Sequence, residues 1–390
     1  MISRGVASFG LDTGQCPPWL FRRMVALGRQ IVRVLIEEYG SDEFIRRIAD
    51  PVWFQSLGTV LAFDWNASGL TTILTAALKE AIRGEERDLG IFICGGKGKT
   101  SRRTPDEIRA WGDVLSLPSA SAERLVYNSK MSAKVDSALV QDGFQLYHHA
   151  FFFSRNGAWA VVQQGMNQEA RAARRYHWFS ENAADLVAEP HAAITSPIVL
   201  DRVLDLTARK SAATRDLSTD LVRAGYASLM KDIEIIRRHS SRLSRMISLR
   251  QRGLFDDGPV TTILELKNRE FRYHPVIRED FGRSRYLEKI LAKAADRKPD
   301  SYEELVSLEG VGPKTVRALA LVGEVIYGAG PSYEDPARYS FAHGGKDATP
   351  YPVDRETYDK TIDILGRAVR RAALPPDEKR RALGRLLGSG

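Results

Sequence analysis

Cysteine is scarce in this sequence, and long apolar runs are missing from it. Cys16 and Cys94 are the two cysteines among 390 residues, which excludes a disulfide scaffold and a cysteine-rich zinc module. No apolar run reaches the roughly 18 residues that a membrane span needs. The first residues contain no basic region followed by an apolar stretch, so no signal peptide is expected. The sequence therefore predicts a cytoplasmic protein without membrane contact.

The overall composition is that of an ordinary globular protein with a basic surplus. Hydrophobic residues make up 43% of the chain and charged residues 27%, which excludes a disordered or fibrous protein. Lys and Arg number 57 against 49 Asp and Glu, a formal net charge of +8. A basic surplus is consistent with a polyanionic partner such as nucleic acid. Many soluble proteins are mildly basic, however, so local motifs have to decide the matter.

The first half of the chain mixes helical and strand patterns. Residues 17–50 have apolar positions at the three- and four-residue spacing of a helix. Residues 89–94 form a short apolar, β-branched run typical of a strand. Two strand-like runs within 143–165 flank Asn156-Gly157, which is a strong hairpin signal.

Beyond residue 197 the strand signals almost vanish and helical patterns dominate. We therefore predict an α+β protein. An N-terminal α/β domain over 1–197 is expected to contain the hairpin in its sheet, and a mostly helical domain follows over 198–390. The sequence leaves the oligomeric state open.

A two-residue loop at 156–157 sets the predicted register of the hairpin. In that register His149 faces Gln164, and His148 points to the opposite face of the sheet. Asp142, His149 and Gln164 would then share one end of the hairpin.

Acidic residues near these strands support a hydrolytic hypothesis. A nuclease holds Mg²⁺ or Mn²⁺ with carboxylates beside the scissile phosphate. The available acids near these strands are Asp64, Asp136 and Asp142, and Asp64 and Asp142 are candidates for this role together with His149 and Gln164. No pair of acids here has a diagnostic spacing, so no set of metal ligands is assigned. Helix caps and satisfied core polar groups are the alternative interpretation.

A glycine-rich basic segment follows the strand predicted at 89–94. Residues 95–103, GGKGKTSRR, contain Lys97, Lys99, Arg102 and Arg103. Backbone N–H groups between glycines and clustered positive charge both suit a phosphate. The spacing before Gly-Lys-Thr does not match a Walker loop. We predict contact with nucleic-acid phosphates, and a solvated basic loop is the alternative.

Two further basic stretches extend this prediction. Arg174 and Arg175 lie in a basic-aromatic run over 171–178, where arginines would contact phosphates and aromatic rings would stack on exposed bases. A surface helix leading into a buried Trp178 explains the run almost as well. Residues 231–250 place several arginines on one helical face.

The most informative segment is 305–319, LVSLEGVGPKTVRAL. It predicts a helix that ends at Leu308, a tight turn, and a second helix that begins at Pro313. The two glycines of the turn allow the backbone to approach a phosphate closely, and the N-terminus of the second helix presents unpaired N–H groups to an anion. The predicted nucleic-acid contacts are Gly310, Val311 as an apolar peg, Gly312, Lys314, Thr315 and Arg317.

This segment, within 301–326, resembles the helix-hairpin-helix motif of DNA-repair and recombination proteins, which holds the DNA backbone without reading bases. A plain connection between two helices is the alternative. Residues 352–358 resemble the segment that carries the catalytic aspartate of the helix-hairpin-helix glycosylases. That resemblance implies Lys314 as a nucleophile towards the sugar C1′ and Asp354 as the catalytic aspartate.

The separation between Lys314 and Asp354 is longer than in those glycosylases. A phosphate contact for Lys314 and a helix cap for Asp354 therefore remain as alternatives. The iron–sulfur cluster of that family is not expected, because no cysteine follows Cys94.

Several further segments, among them Trp53-Phe54-Gln55, 63–66 and Tyr147-His148-His149, are similar to an uncharacterised family of archaea and thermophilic bacteria, domain of unknown function 763. The resemblance spans most of the chain. It implies a domain layout rather than a chemistry.

The leading hypothesis is a repair-type enzyme that processes DNA, a nuclease that grips the backbone and depends on Mg²⁺ or Mn²⁺. A glycosylase or abasic-site lyase built on Lys314 and Asp354 is the first alternative, and a non-catalytic DNA-binding protein is another; an RNA-directed factor is a weaker one. The expected partner is DNA, duplex or structured, bound without sequence preference.

Overall fold

A computed structural model describes residues 16–61, 69–234, 285–337 and 355–387. Asp64, Asp354 and most of the basic stretch 231–250 lie outside the described residues. The protein is an α+β fold, as the sequence predicts, with an antiparallel sheet between helical layers.

Glycine, proline and a capping aspartate mark the ends of the N-terminal helices. Helix α1 (Pro18–Tyr39) is capped by Gly40, whose φ of +84° suits glycine. Helix α2 (Ser41–Ala49) follows directly. The Asp50 carboxylate then accepts a hydrogen bond from Val52 N at 2.8 Å and caps α3 (Pro51–Val60). After α4 (Leu70–Ala81) and the short α5 (Glu86–Leu89), the chain enters the sheet.

Five antiparallel strands form the central sheet in the order β1-β3-β4-β5-β6. Their bounds are Ile91–Lys97 for β1, Gln145–Ser154 for β3, Trp159–Asn167 for β4, Ala172–Phe179 for β5 and His191–Thr195 for β6. Strands β2 (Val140–Gln141) and β7 (Leu204–Asp205) pair separately. A 3₁₀ segment (Gly98–Arg103), helix α6 (Thr104–Val114) and helix α7 (Ser119–Ala138) connect β1 to β2.

The predicted hairpin forms, but its predicted register is wrong by one residue. Ser154 N donates to Ala158 O at 2.8 Å, so the loop has three residues, 155–157, with Gly157 at a φ of +101°. His149 consequently lies opposite Gln163, and Gln164 lies opposite His148. Because side chains alternate along a strand, this shift moves Gln164 to the other face of the sheet from His149.

The remaining helices pack on both faces of the sheet. A short 3₁₀ turn (Arg209–Ser211) leads into α8 (Ala212–Arg223), and a further helical run covers 226–234. After the gap, the helices are α9 (Arg285–Arg297), α10 (Tyr302–Ser307), α11 (Pro313–Tyr327), α12 (Arg355–Arg371) and α13 (Pro376–Leu387). Among the described helices, none is both long and apolar enough to span a membrane.

Two large hydrophobic cores lie on opposite faces of the sheet. One core joins Phe151 and Trp178 of the sheet to α7 and to Leu305 and Val316 of the C-terminal helices. The other joins the opposite sheet face to α1–α4 and to Leu365 of α12. Both cores therefore cross the boundary predicted at 197, and α12 and α13 pack on the N-terminal helices rather than beside α10 and α11.

Candidate functional site

Four cations of the predicted phosphate-binding loop are exposed. Lys97, Lys99, Arg102 and Arg103 all lie on the surface where β1 ends and the 3₁₀ segment begins. Arg102, Arg103 and Lys99 have no carboxylate within ion-pair distance among the residues that the structure describes, in contrast to many other surface arginines of the chain. We call residues 97–103 the basic loop; it is a concentration of uncompensated positive charge.

The root of the basic loop is held in place by an ion pair. Lys79 Nζ donates to Gly95 O at 3.2 Å and to Glu107 Oε2 at 2.6 Å, while Gly95 N donates to the same Glu107 oxygen at 2.8 Å. Gly95 has a φ of +86°, and a Cβ atom there would lie 2.4 Å from His149 O. The Lys79–Glu107 ion pair thus binds the N–H and C=O groups of Gly95 that the edge strand β1 leaves unpaired. It also fixes the direction in which the basic loop leaves the sheet.

The turn between α10 and α11 follows the predicted course, but only one of its two glycines has a positive φ. Helix α10 ends at Ser307, one residue before the predicted end at Leu308, and α11 begins at Pro313 as predicted. Val311 is buried as the apolar peg. Gly310 has the positive φ, +89°, and a Cβ there would lie 2.3 Å from Ile290 Cδ1. Gly312 has an extended φ of −147° and open space around it, so Gly310 rather than Gly312 is the residue that conformation requires.

Only part of the predicted contact set of this turn faces solvent. Lys314 is exposed at the first turn of α11. Thr315 and Arg317 are buried, and Arg317 Nε donates to Gln141 Oε1 at 2.6 Å. The prediction that the side chains of Thr315 and Arg317 contact phosphate is therefore wrong, because both face the protein interior.

Helix α7 anchors this turn to the sheet. Lys134 Nζ donates to Leu308 O at 2.5 Å, and Gln141 Nε2, just beyond α7, donates to Pro313 O at 3.0 Å. Burial lowers the pKa of Lys134 to about 8. Gln141 is followed by the start of β3, which pairs with the end of β1, so the turn and the basic loop lie at the same end of the sheet.

Arg174 and Arg175 do not form a surface cluster. They lie in strand β5 rather than in a helix, with 0% and 1% of their surface exposed. Arg174 donates to Asp142 Oδ2 at 3.0 Å and to Asp335 Oδ2 at 2.7 Å, and burial lowers the pKa of Arg175 to about 9. The prediction that they contact nucleic acid is wrong. Neighbouring side chains of a strand point to opposite faces of the sheet, and both faces of the sheet are covered at β5.

The predicted nuclease cluster is not assembled. Asp142 is buried against Arg174 and also accepts a hydrogen bond from Tyr176 OH at 2.6 Å. Burial raises the pKa of Asp142, and this effect outweighs the lowering by the positive charge of Arg174. Gln164 donates to Tyr147 OH on the other face of the sheet from His149. Among the described residues, no group of three or more His, Cys, Asp and Glu side chains is placed to hold a metal ion.

A chain of buried hydrogen bonds occupies the sheet face beside α7 instead. Ser129 Oγ lies 2.8 Å from His149 Nε2, and His149 Nδ1 lies 2.9 Å from Gln163 Oε1. Gln163 Nε2 donates to Asp136 Oδ2 at 2.5 Å, and His191 Nε2 lies 2.5 Å from Asp136 Oδ1. Since the Gln163 oxygen accepts, His149 carries its proton on Nδ1 and accepts from Ser129.

Each side chain in this chain is buried and has a hydrogen-bond partner within it, and Ser129 is covered. Burial lowers the pKa of His149, so the ring is a neutral link in the chain. Sequence reasoning named Asp136 as an available acid but missed Ser129, Gln163 and His191. Nothing in the spacing of these residues along the chain shows that they meet.

Comparison with known proteins identifies the family. A family model described as "Protein of unknown function (DUF763)" matches residues 5–353. The chain belongs to that family. No curated protein and no solved structure matches the chain.

The DUF763 match contains the basic loop, the whole central sheet and the turn between α10 and α11. It ends before α12, so the C-terminal pair α12–α13 lies beyond it. The family description assigns no activity, and a functional proposal therefore has to come from the geometry of the chain itself.

Proposed function

We propose that this protein binds the sugar–phosphate backbone of DNA without sequence preference, through the basic loop and the turn between α10 and α11. The basic loop carries the proposal. It concentrates four exposed cations, and Lys99, Arg102 and Arg103 have no acidic partner among the described residues. Cations that are already paired gain little from a phosphate, whereas uncompensated ones release counterions from the nucleic acid when they bind.

The turn supplies a second phosphate contact at the same end of the sheet. Gly312 is open to close approach, the N-terminus of α11 offers unpaired N–H groups, and Lys314 is exposed beside them. Lys134 and Gln141 also fix the turn, because their side chains donate hydrogen bonds to its backbone carbonyl groups. Its likeness to a helix-hairpin-helix supports duplex DNA as the partner, because that motif contacts backbone rather than bases.

The described residues support binding and assign no catalytic group. The acids suggested for a nuclease are either paired in the core, as Asp142 is, or lie outside the described residues, as Asp64 does. Lys314 is exposed, so it lacks the desolvation that an amine needs in order to act as a nucleophile. Its position suits a charged phosphate ligand.

The test compares two variants with the same net charge. The loop variant replaces Lys97, Lys99, Arg102 and Arg103 with Gln. The control variant replaces four exposed cations that have acidic partners, namely Arg83, Arg209, Lys210 and Arg223. Each variant lowers the net charge by the same amount, and none of the eight side chains is in a core.

Binding to a fluorescent duplex is measured by anisotropy at several salt concentrations. Each lost phosphate contact reduces the slope of log affinity against log salt by about 0.9, so the loop variant should lose about 3 to 4 in slope while the control keeps most of it. Equal losses in the two variants would mean that only total charge matters. Absence of salt-dependent binding by the wild type would overturn the proposal.

A further inference from the structure

A groove beside α7 and α10 has the size of a ligand site. Its volume is about 660 Å³, within the range of small-molecule pockets. Residues of α7 around Tyr127, Trp159 of β4 and the 180–186 segment line it. The groove is lined by Ala120, Glu123, Arg124, Tyr127, Asn128, Trp159, Ser180, Ala183, Ala184, Leu186 and Glu303; we call it the Tyr127 groove.

The Tyr127 ring is an exposed aromatic surface with a fixed orientation. It is 37% exposed, and its hydroxyl donates to Glu303 Oε1 at 2.8 Å. Burial and the neighbouring Glu303 charge raise the pKa of Tyr127, so the hydroxyl remains a donor. A ring held in this way offers its face to a planar ligand at little entropic cost.

The polar groups of the groove suit a planar ligand that carries an anionic group. Arg124 and Asn128 lie one helical turn apart on α7, and neither side chain has an ion-pair or hydrogen-bond partner among the described residues. Of the two acids of the groove, Glu123 pairs with Arg109 at 2.6 Å, and Glu303 accepts a hydrogen bond from Tyr127. The groove therefore combines an aromatic face, apolar alanine and leucine walls, a cation and an amide.

The Tyr127 groove lies one short helix away from the turn. Glu303, at its rim, precedes Leu308 by five residues, or about 7 to 8 Å along a helix. Tyr127 and Lys134 contact these same two points from α7. A nucleic-acid strand held at the turn would thus have a neighbouring nucleotide within reach of the groove.

We propose that the Tyr127 groove holds one unpaired nucleotide of a strand bound at the turn, with its base stacked on Tyr127 and a phosphate on Arg124. This inference rests on the proposed function, because the turn and the basic loop must first hold the strand. Stacking on an aromatic ring tolerates any base, so the site selects for an unpaired nucleotide rather than for a sequence.

The experiment measures affinity for a fully paired duplex, for the same duplex with a single-nucleotide bulge, and for a nucleoside monophosphate. The variants are Tyr127→Phe, which keeps the ring, Tyr127→Ala, which removes it, and Arg124→Gln. Tyr327→Ala is the matched control, because Tyr327 is also exposed and its hydroxyl also donates to a carboxylate, Asp232, at 2.9 Å. Circular dichroism melting verifies that each variant is folded.

We expect the wild type to prefer the bulged duplex by about tenfold or more, the scale of one base–aromatic stack. Tyr127→Ala should abolish this preference without changing affinity for the paired duplex. Tyr127→Phe and Tyr327→Ala should retain the preference, and Arg124→Gln should reduce it.

Three results would overturn the inference. A wild type that binds the paired duplex in a salt-dependent way but shows no bulge preference would remove the inference and leave the proposed function intact. A bulge preference that survives Tyr127→Ala would place the unpaired nucleotide elsewhere. A nucleoside monophosphate that binds as tightly as the bulged duplex would make the groove a site for free nucleotides. Failure of the wild type to bind any DNA would instead remove the proposed function.

Discussion

Acidification is expected to destabilise the protein through His148. This residue lies in β3 on the sheet face towards α4 and is 1% exposed. Its Nε2 is 3.4 Å from Thr75 Oγ1, and its Nδ1 has no hydrogen-bond partner among the described residues. Burial, followed by the electrostatic effect of the neighbouring His149 and Lys97 side chains, lowers the pKa of His148 from 6.5 to about 3.

The sign of the effect follows from which state takes up the proton. Below about pH 6.5 the unfolded chain protonates this histidine, whereas the folded protein does not until the pH falls to about 3. The free energy of unfolding therefore decreases as the pH falls through this window, by about 1.4 kcal/mol per pH unit once the unfolded histidine is mostly charged. Between pH 8 and pH 5 the loss amounts to about 2 kcal/mol, a substantial part of the 5 to 15 kcal/mol typical of a folded domain.

Urea unfolding of the wild type and of His148→Asn at pH 8, 7, 6 and 5 measures this contribution. The variant has a different stability throughout, but asparagine does not titrate, so the difference between the two proteins should change by about 2 kcal/mol from pH 8 to pH 5. Burial raises the pKa values of Asp142 and Asp205, which act in the opposite direction. These groups are present in both proteins and cancel in the difference. Parallel stability curves would refute the argument that His148 is held neutral by burial.

The two glycines of the turn should separate folding from binding. Gly310→Ala should lower the melting temperature by several degrees, because a methyl group there meets an isoleucine side-chain carbon at 2.3 Å on a backbone with positive φ. Gly312→Val should melt like the wild type yet bind duplex DNA at least tenfold more weakly in anisotropy, since the space around it is open to phosphate; normal affinity would remove the turn from the interface. Lys314→Arg should keep its affinity, because the charge is retained, and the wild type should not be trapped by borohydride on abasic DNA; trapping would restore the lyase hypothesis. Asp335→Ala should cost about 3 to 5 kcal/mol in urea unfolding, since Arg174 loses one of its two buried carboxylates, and a change below 1 kcal/mol would contradict the role of that pair.

Local patterns in the sequence were sufficient for the elements that depend on neighbouring residues. The strand before the basic loop, the hairpin at Asn156-Gly157, and the turn with Val311 as its buried peg were all predicted and are observed. Each depends on contacts or backbone angles within a few residues, such as proline at a helix start or glycine in a loop. The exposure of the basic loop follows in the same way, because four cations in seven residues cannot all be buried.

Tertiary structure decided which polar side chains meet and which of them reach solvent. Arg174 and Arg175 have the composition of a nucleic-acid contact, yet the position of β5 between two strands buries both. The one-residue register shift moved Gln164 away from His149. When the hairpin loop has three residues instead of two, every side chain of one strand meets the opposite face of its partner strand. The Tyr127 groove and the hydrogen-bond chain from Ser129 to His191 join residues far apart in sequence. Only the packing of α7 between the sheet and α10 brings them together, and such packing depends on contacts distributed over the whole chain.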